Sequence, residues 1–162
     1  WYSAAANMSM YMRDTTLEYY KARDTAIHYT DPGNHRNHLI YLQGQWINGP
    51  ESLSHGRTTE TYEDYIAIKF YGTSANAVIG FPDGTKPFSL MVTLDGRPLP
   101  KHHFGADIRL DGDGKTFFLV DAPRMYRVVD SPEFDGHELT ISANSANFAL
   151  FAFTFGSYGK GP

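Results

Sequence analysis

Apolar and polar positions alternate with period two over much of the chain, and no window carries apolar residues at i, i+3, i+4 and i+7 for three turns. The pattern therefore predicts strands, not helices. In residues 65–71, Ile66, Ile68 and Phe70 fall on one face, while Tyr65, Lys69 and Tyr71 share the other with the small Ala67. A second strand is expected over residues 75–81 after a Gly72-Thr73-Ser74 turn, and a third over 88–94. Asp95-Gly96 then favours the positive φ of a tight hairpin turn, with Leu94 and Leu99 on its flanks. Residues 108–110 and 116–120 read as a hairpin closed by Asp111-Gly112-Asp113-Gly114-Lys115, and 125–129, 137–142 and 147–155 as further strands. The first sixty residues are less regular. Met8, Met10 and Met12 permit a strand, residues 17–23 a helical turn or an extended crossing, Asp31-Pro32-Gly33-Asn34 a turn, and 38–42 a strand that Asn48-Gly49-Pro50 brings to an end. The series of roughly eight or more short antiparallel strands predicts an all-β, jelly-roll type of sandwich.

A length of 162 residues fits a single domain over 1–162, with residues 1–15 belonging either to the sandwich or to a connection from an upstream domain. No basic or apolar leader follows Trp1, so no intact signal peptide is expected, and the small residues from Gly156 onward read as a chain leaving its domain. Cysteine is absent, which excludes a dithiol centre, a cysteine nucleophile or a thiolate zinc site within the chain. A net charge of −4 with scattered Lys and Arg argues against nucleic acid as a partner. Apolar runs such as 148–153 fall far short of the ~20 residues of a membrane-spanning helix.

Candidate chemistry is sparse. The nearest histidine pairs, His35 with His38 and His102 with His103, have spacings that point apart on a strand, so they read as exposed loop residues before they read as metal ligands. A cupin-like metal enzyme would need His35, His38 and His102 or His103 on one ion. Asp111 and Asp113 resemble the opening of a calcium loop, but position twelve is Ala122 where a bidentate Glu is required, and turn chemistry explains them. Ser54-His55 has no implied partner, and Glu60, Glu63 and Asp64 read as a solvated strand edge. Eleven Tyr, eleven Phe and two Trp are more than a core of this size needs. Phe70, Phe117 or Phe118, Phe151 and Phe153 are the expected core members. Tyr62, Tyr65, Tyr71 and Tyr126 are expected on outer faces or loops, where a ring with a hydroxyl can stack on a sugar or pack in an interface. Trp46 either joins them or plugs one end of the sandwich.

The stretch Asp121-Ala122-Pro123-Arg124-Met125-Tyr126, then His137-Glu138-Leu139, and finally Phe151-Ala152-Phe153-Thr154-Phe155-Gly156-Ser157-Tyr158 resembles the C-terminal domain of bacterial redoxin and DipZ-type thiol:disulfide interchange proteins. Leu42-x-Gly44-x-Trp46 and Thr16-Leu17-Glu18-Tyr19-Tyr20-Lys21-Ala22-Arg23 are similar to earlier segments of that family, although the family's glycine is missing from the second. The resemblance implies a jelly-roll sandwich similar to carbohydrate-binding modules, appended on the extracytoplasmic side, periplasmic, cell-surface or secreted, to a thioredoxin-like domain. It implies no activity for this chain, since the family's Cys-x-x-Cys lies in the preceding domain, and it calls for no cofactor. Two roles follow by fold analogy: a noncatalytic, carbohydrate-binding-like module for a polysaccharide or glycan, or a docking or self-association module whose aromatics form a dry interface. Trp46, Tyr62, Tyr65, Tyr71 and Tyr126 are the residues whose placement separates the two.

Overall fold

The computed structural model describes residues 24–157, so the expectations for residues 1–15 and 17–23 lie outside the described residues. Nine strands follow in order: β1 (Ala26–Tyr29), β2 (Ile40–Asn48), β3 (Leu53–His55), β4 (Asp64–Gly80), β5 (Phe88–Leu94), β6 (Arg109–Leu110), β7 (Thr116–Val120), β8 (Arg124–Ala143) and β9 (Ala149–Gly156). A 3-10 turn at Lys101–His103 is the one helical element among the described residues, and the fold is all-β as the alternation predicts. Hydrogen bonds join the strands into one continuous sheet in the order β1-β2-β3-β9-β4-β8-β5-β7-β6, with β2 also paired to β4.

The spine is the long antiparallel β4–β8 pair, matched from Asp64 opposite Ala143 to Ile79 opposite Arg124. The residues 72–74 expected to turn do not, and the strands expected at 125–129 and 137–142 are one strand. Between the Gly72–Asp135 and Ser74–Asp130 pairs, β4 advances two residues while β8 advances five. Such a bulge bends a ladder without ending it. The bend lets β4 serve two layers: its first half lies between β2 and β8, its second between β9 and β8. Since β2 pairs β3 and β3 pairs β9, the sheet folds back over a single core.

Alternation fills that core. Ile66, Ile68 and Phe70 point inward from β4, Leu90, Val92 and Leu94 from β5, and Leu139 and Ile141 from β8, all buried. At roughly 1.5–3 kcal/mol for each large apolar side chain buried, these rows are the main favourable contribution to folding. Phe118 is the core member of its pair, and Phe117 faces outward, half-buried. Phe153 packs against the core only partly buried, and the fully buried Phe148 does more of the filling. Phe151, expected inside, is exposed: a register shift opposite Val78 and Ile79 turns it outward, beside Gly80. The Asp95-Gly96 turn forms as predicted, with φ of 53° and 77°, reciprocal Leu94–Arg97 backbone bonds, and Leu94 and Leu99 both buried.

Candidate functional site

The five candidate aromatics do not form one platform. Trp46 is fully buried; its Nε1 donates to the Gln43 carbonyl at 2.8 Å and its ring lies between His55 and Phe148. Tyr126 is fully buried as well. Its hydroxyl donates to the Ala122 carbonyl at 2.6 Å and accepts from the Asp121 and Ala122 amides, while the Arg124 guanidinium sits 3.9 Å over its ring. Neither ring has a free face to stack on a sugar. Tyr65 is half-buried with its hydroxyl committed to Asp31, and Tyr71 is 49% exposed at the β4–β8 bend, its ring against Gly136.

Tyr62 is the aromatic that lines a cleft of substantial size, about 660 Å³. The floor is the outward-facing row of the sheet, Met91 and Thr93 of β5 beside Ser142 of β8, whose strands pair Met91 with Ser142. Glu60, Thr61, Tyr62 and Glu63 form one wall, and Pro98 and Lys115 the other. The first wall is braced. Arg57 Nη2 lies 3.1 Å from Glu63, the Thr59 amide donates to Asn144, and the Thr59 hydroxyl donates to the Thr61 carbonyl at 2.7 Å. Burial pushes the Tyr62 hydroxyl upward from its ordinary pKa, so it stays protonated and able to donate. Thr116 also reaches the cleft, but its hydroxyl is spent inside, donating to Val92 and accepting from the Leu99 amide.

Asp64 holds the wall from beneath. Expected at a solvated edge with Glu60 and Glu63, it is instead buried, while the other two are exposed. Arg57 grips both of its oxygens at 2.6 and 2.8 Å, His55 Nε2 lies 2.8 Å away and the Gln45 amide donates at 3.1 Å. Burial opposes the charge, but these donors outweigh it and hold the carboxyl far below the usual carboxylate range. Gly44, at φ 93°, makes room for this group: a Cβ there would collide with the carboxylate.

The histidine candidates scatter. His35 is not a solvent-exposed residue: its side chain is 7% exposed, with Nε2 2.6 Å from Asp31 and Nδ1 2.8 Å from Glu138, and its ring stacks on Tyr41. Burial opposes protonation of His35, yet the two carboxylates prevail and raise its pKa. Asp31 is likewise held below its ordinary value against the cost of burial, by Tyr65, the Gly33 amide and His35. Tyr65 in turn is pushed up to about 12 by burial and by that bond. His38 is exposed, at φ 62°. Asp111 accepts from the Asp113 and Lys115 amides, which is turn chemistry, and Asp113 is exposed. Among the described residues no three His, Asp or Glu side chains gather as a metal site, so the His35, His38 and His102 or His103 grouping does not form.

Sequence reasoning found Tyr62 but not Arg57, Thr93, Lys115 or Ser142, which reach the cleft wall or floor from separate segments that only strand pairing brings together. No helix among the described residues is long and apolar enough to cross a membrane. A comparison with curated proteins finds no match. The family model described as thioredoxin like C-terminal domain matches residues 10–156, a span that contains every strand above and the cleft they build, and the chain belongs to that family.

Proposed function

We propose that the chain is a noncatalytic accessory module of an extracytoplasmic thioredoxin-like protein, and that it holds a saccharide in the cleft beside Tyr62. The observation that carries this reading is the cleft itself: an aromatic ring with a hydroxyl, two carboxylates, a lysine and the hydroxyl-bearing Thr93 and Ser142 around one shallow trough. Sugars present apolar C–H faces and rings of hydroxyls, and such a mixture of stacking surface and polar groups suits them. Membership of the family supports an upstream thioredoxin-like domain, and the absence of cysteine leaves any dithiol chemistry to that domain.

Affinity electrophoresis through gels containing bacterial cell-wall and plant polysaccharides tests it, with Tyr62→Ala and Glu63→Gln beside the native protein and Tyr71→Ala as control. Retardation by one polymer, lost in Tyr62→Ala and kept in Tyr71→Ala, is the expected result. No retardation by any polymer, or retardation indifferent to Tyr62, overturns the reading.

A second reading has its own observation. Tyr71 and Phe134 stand exposed at the β4–β8 bend, at 49% and 56%, where a neighbouring thioredoxin-like domain could cover them. Fusing or mixing that domain with the chain would then protect both rings from solvent, read as quenched exchange of the Asp135 and Gly136 amides.

A further inference from the structure

We infer that His103 and His137 form a binding site for a single borderline divalent transition metal ion such as Zn²⁺, supplying two imidazole ligands while solvent completes the shell. The two residues come from separate elements, the 3-10 turn and β8, and their rings stand 5.2 Å apart at a steep angle of 73°. His103 Nδ1 and His137 Nε2 are both buried, and neither has a hydrogen-bond partner. A buried polar nitrogen without a partner costs free energy, and two of them on adjacent rings call for a shared partner. Two imidazoles bound to one tetrahedral ion at the ~2.1 Å Zn–N distance have ring centres about 5 Å apart, which is the separation found.

The other nitrogen of His137 strengthens the case. Its Nδ1 lies 2.7 Å from the Asp95 carboxylate, so the hydrogen of the neutral ring resides there and Nε2 presents a lone pair. A carboxylate behind a histidine fixes the tautomer and orientation that a metal ligand needs. Asp95 is itself rigid, because its other oxygen accepts from the Glu138 amide at 2.8 Å and its own amide donates to the Glu138 carbonyl. His102, whose ring is 4.3 Å from that of His103, stands next to the site. A trough of about 250 Å³, lined by His137, Asp95 and Glu138, opens on the His137 side of the pair. The site lies apart from the Tyr62 cleft, so it stands or falls independently of saccharide binding.

The test is titration of the full chain with Co²⁺ and then Zn²⁺. One equivalent of Co²⁺ with the intense visible absorption of a four-coordinate ion is expected, displaced by Zn²⁺. His103→Gln and His137→Gln should each lose stoichiometric binding, Asp95→Asn should weaken it roughly 10–100-fold, and His38→Gln should leave it unchanged. In the native protein, imidazole NMR signals of His103 and His137 should move on Zn²⁺ addition, a readout that needs no variant to fold. Absence of stoichiometric binding, binding that survives both histidine substitutions, or shifts confined to other histidines overturns the proposal.

Discussion

Two carboxylate–histidine nodes stand on opposite sides of the same sheet, and they do different work. Asp64 with His55 and Arg57 sits on the core side, buried, opposite a glycine whose missing Cβ leaves space for it. Asp31 with His35 and Glu138 sits on the outer side and ties a loop to the sheet, through Tyr65, through Gln43, which accepts from the Asp31 amide, and through a stack on Tyr41. The first links the C-terminal end of β3 and the N-terminal end of β4 to the cleft wall, and its partners are strand residues and one arginine. The second holds a segment in which Pro32, Gly33 and His38 are exposed. Similar chemistry thus anchors the fold in one place and a loop in the other.

Removing the carboxylate from the core node should have the largest effect. Asp64→Ala strands the buried His55 and one end of Arg57, and because Arg57 is partly exposed the loss should lie near the lower end, about 3 kcal/mol, of what breaking a buried ion pair costs. Chemical denaturation should show that loss, and the Tyr62 wall should loosen with it because Arg57, still paired with Glu63, loses its anchor on Asp64. Asp31→Ala measured alongside should cost clearly less; equal losses would erase the distinction between the nodes. Gly44→Ala attacks the same node from its neighbour, pairing a collision with a backbone at φ 93° that alanine adopts poorly, and should approach the Asp64→Ala loss.

Parts of this comparison are legible in the sequence and parts are not. The inward row Ile66, Ile68 and Phe70, the Asp95-Gly96 turn and the Asp111–Lys115 turn depend on residues a few positions apart, and local pattern captures them. The unbroken β4 is not legible, because Gly72-Thr73-Ser74 carries turn chemistry and the bulge that accommodates it lies on β8, more than fifty residues onward. Trp46 and Tyr126 carry polar tips that suggest a wet surface, yet Gln43 and Ala122 satisfy those tips inside the protein. Asp64 stands among Glu63 and Tyr65 like any edge acid. Its burial depends on Arg57, His55 and the Gln45 amide, none of which the spacing of its own strand reveals.

The outer node is sharpened by Tyr65→Phe, which removes one hydroxyl and leaves the ring. That hydroxyl donates to a carboxylate at 2.6 Å, a bond to a charged group, so a loss of about 1.5 kcal/mol is expected. Asp31 should then titrate closer to its ordinary value, since one of the donors that holds it down has gone, and carboxyl NMR shifts against pH would record the change. A loss as large as that of Asp64→Ala would mean the loop is part of the folding core.

The smallest effect is the most specific to the outer node: its strength should depend on pH in a window bounded on both sides. His35 has a raised folded pKa, so its contribution is complete below the ordinary imidazole value and fades as pH rises through the folded one. Asp31 has a lowered folded pKa, so its contribution is complete above the ordinary carboxylate value and fades as pH falls. The loop is therefore held most firmly between those limits, with Glu138, Asp31, Lys69, Tyr65 and the stacked Tyr41 the ionisable groups around the ring. The His38 amide, bonded to the Lys69 carbonyl at 2.7 Å, reports on loop opening. After correction for intrinsic exchange, its protection should fall above neutrality in the native protein and be low and flat in His35→Gln, while amides of β4 beside Asp64 keep theirs until acid removes it. Parallel loss at both places on raising the pH would show that the loop and the core open together, and that the two nodes are one.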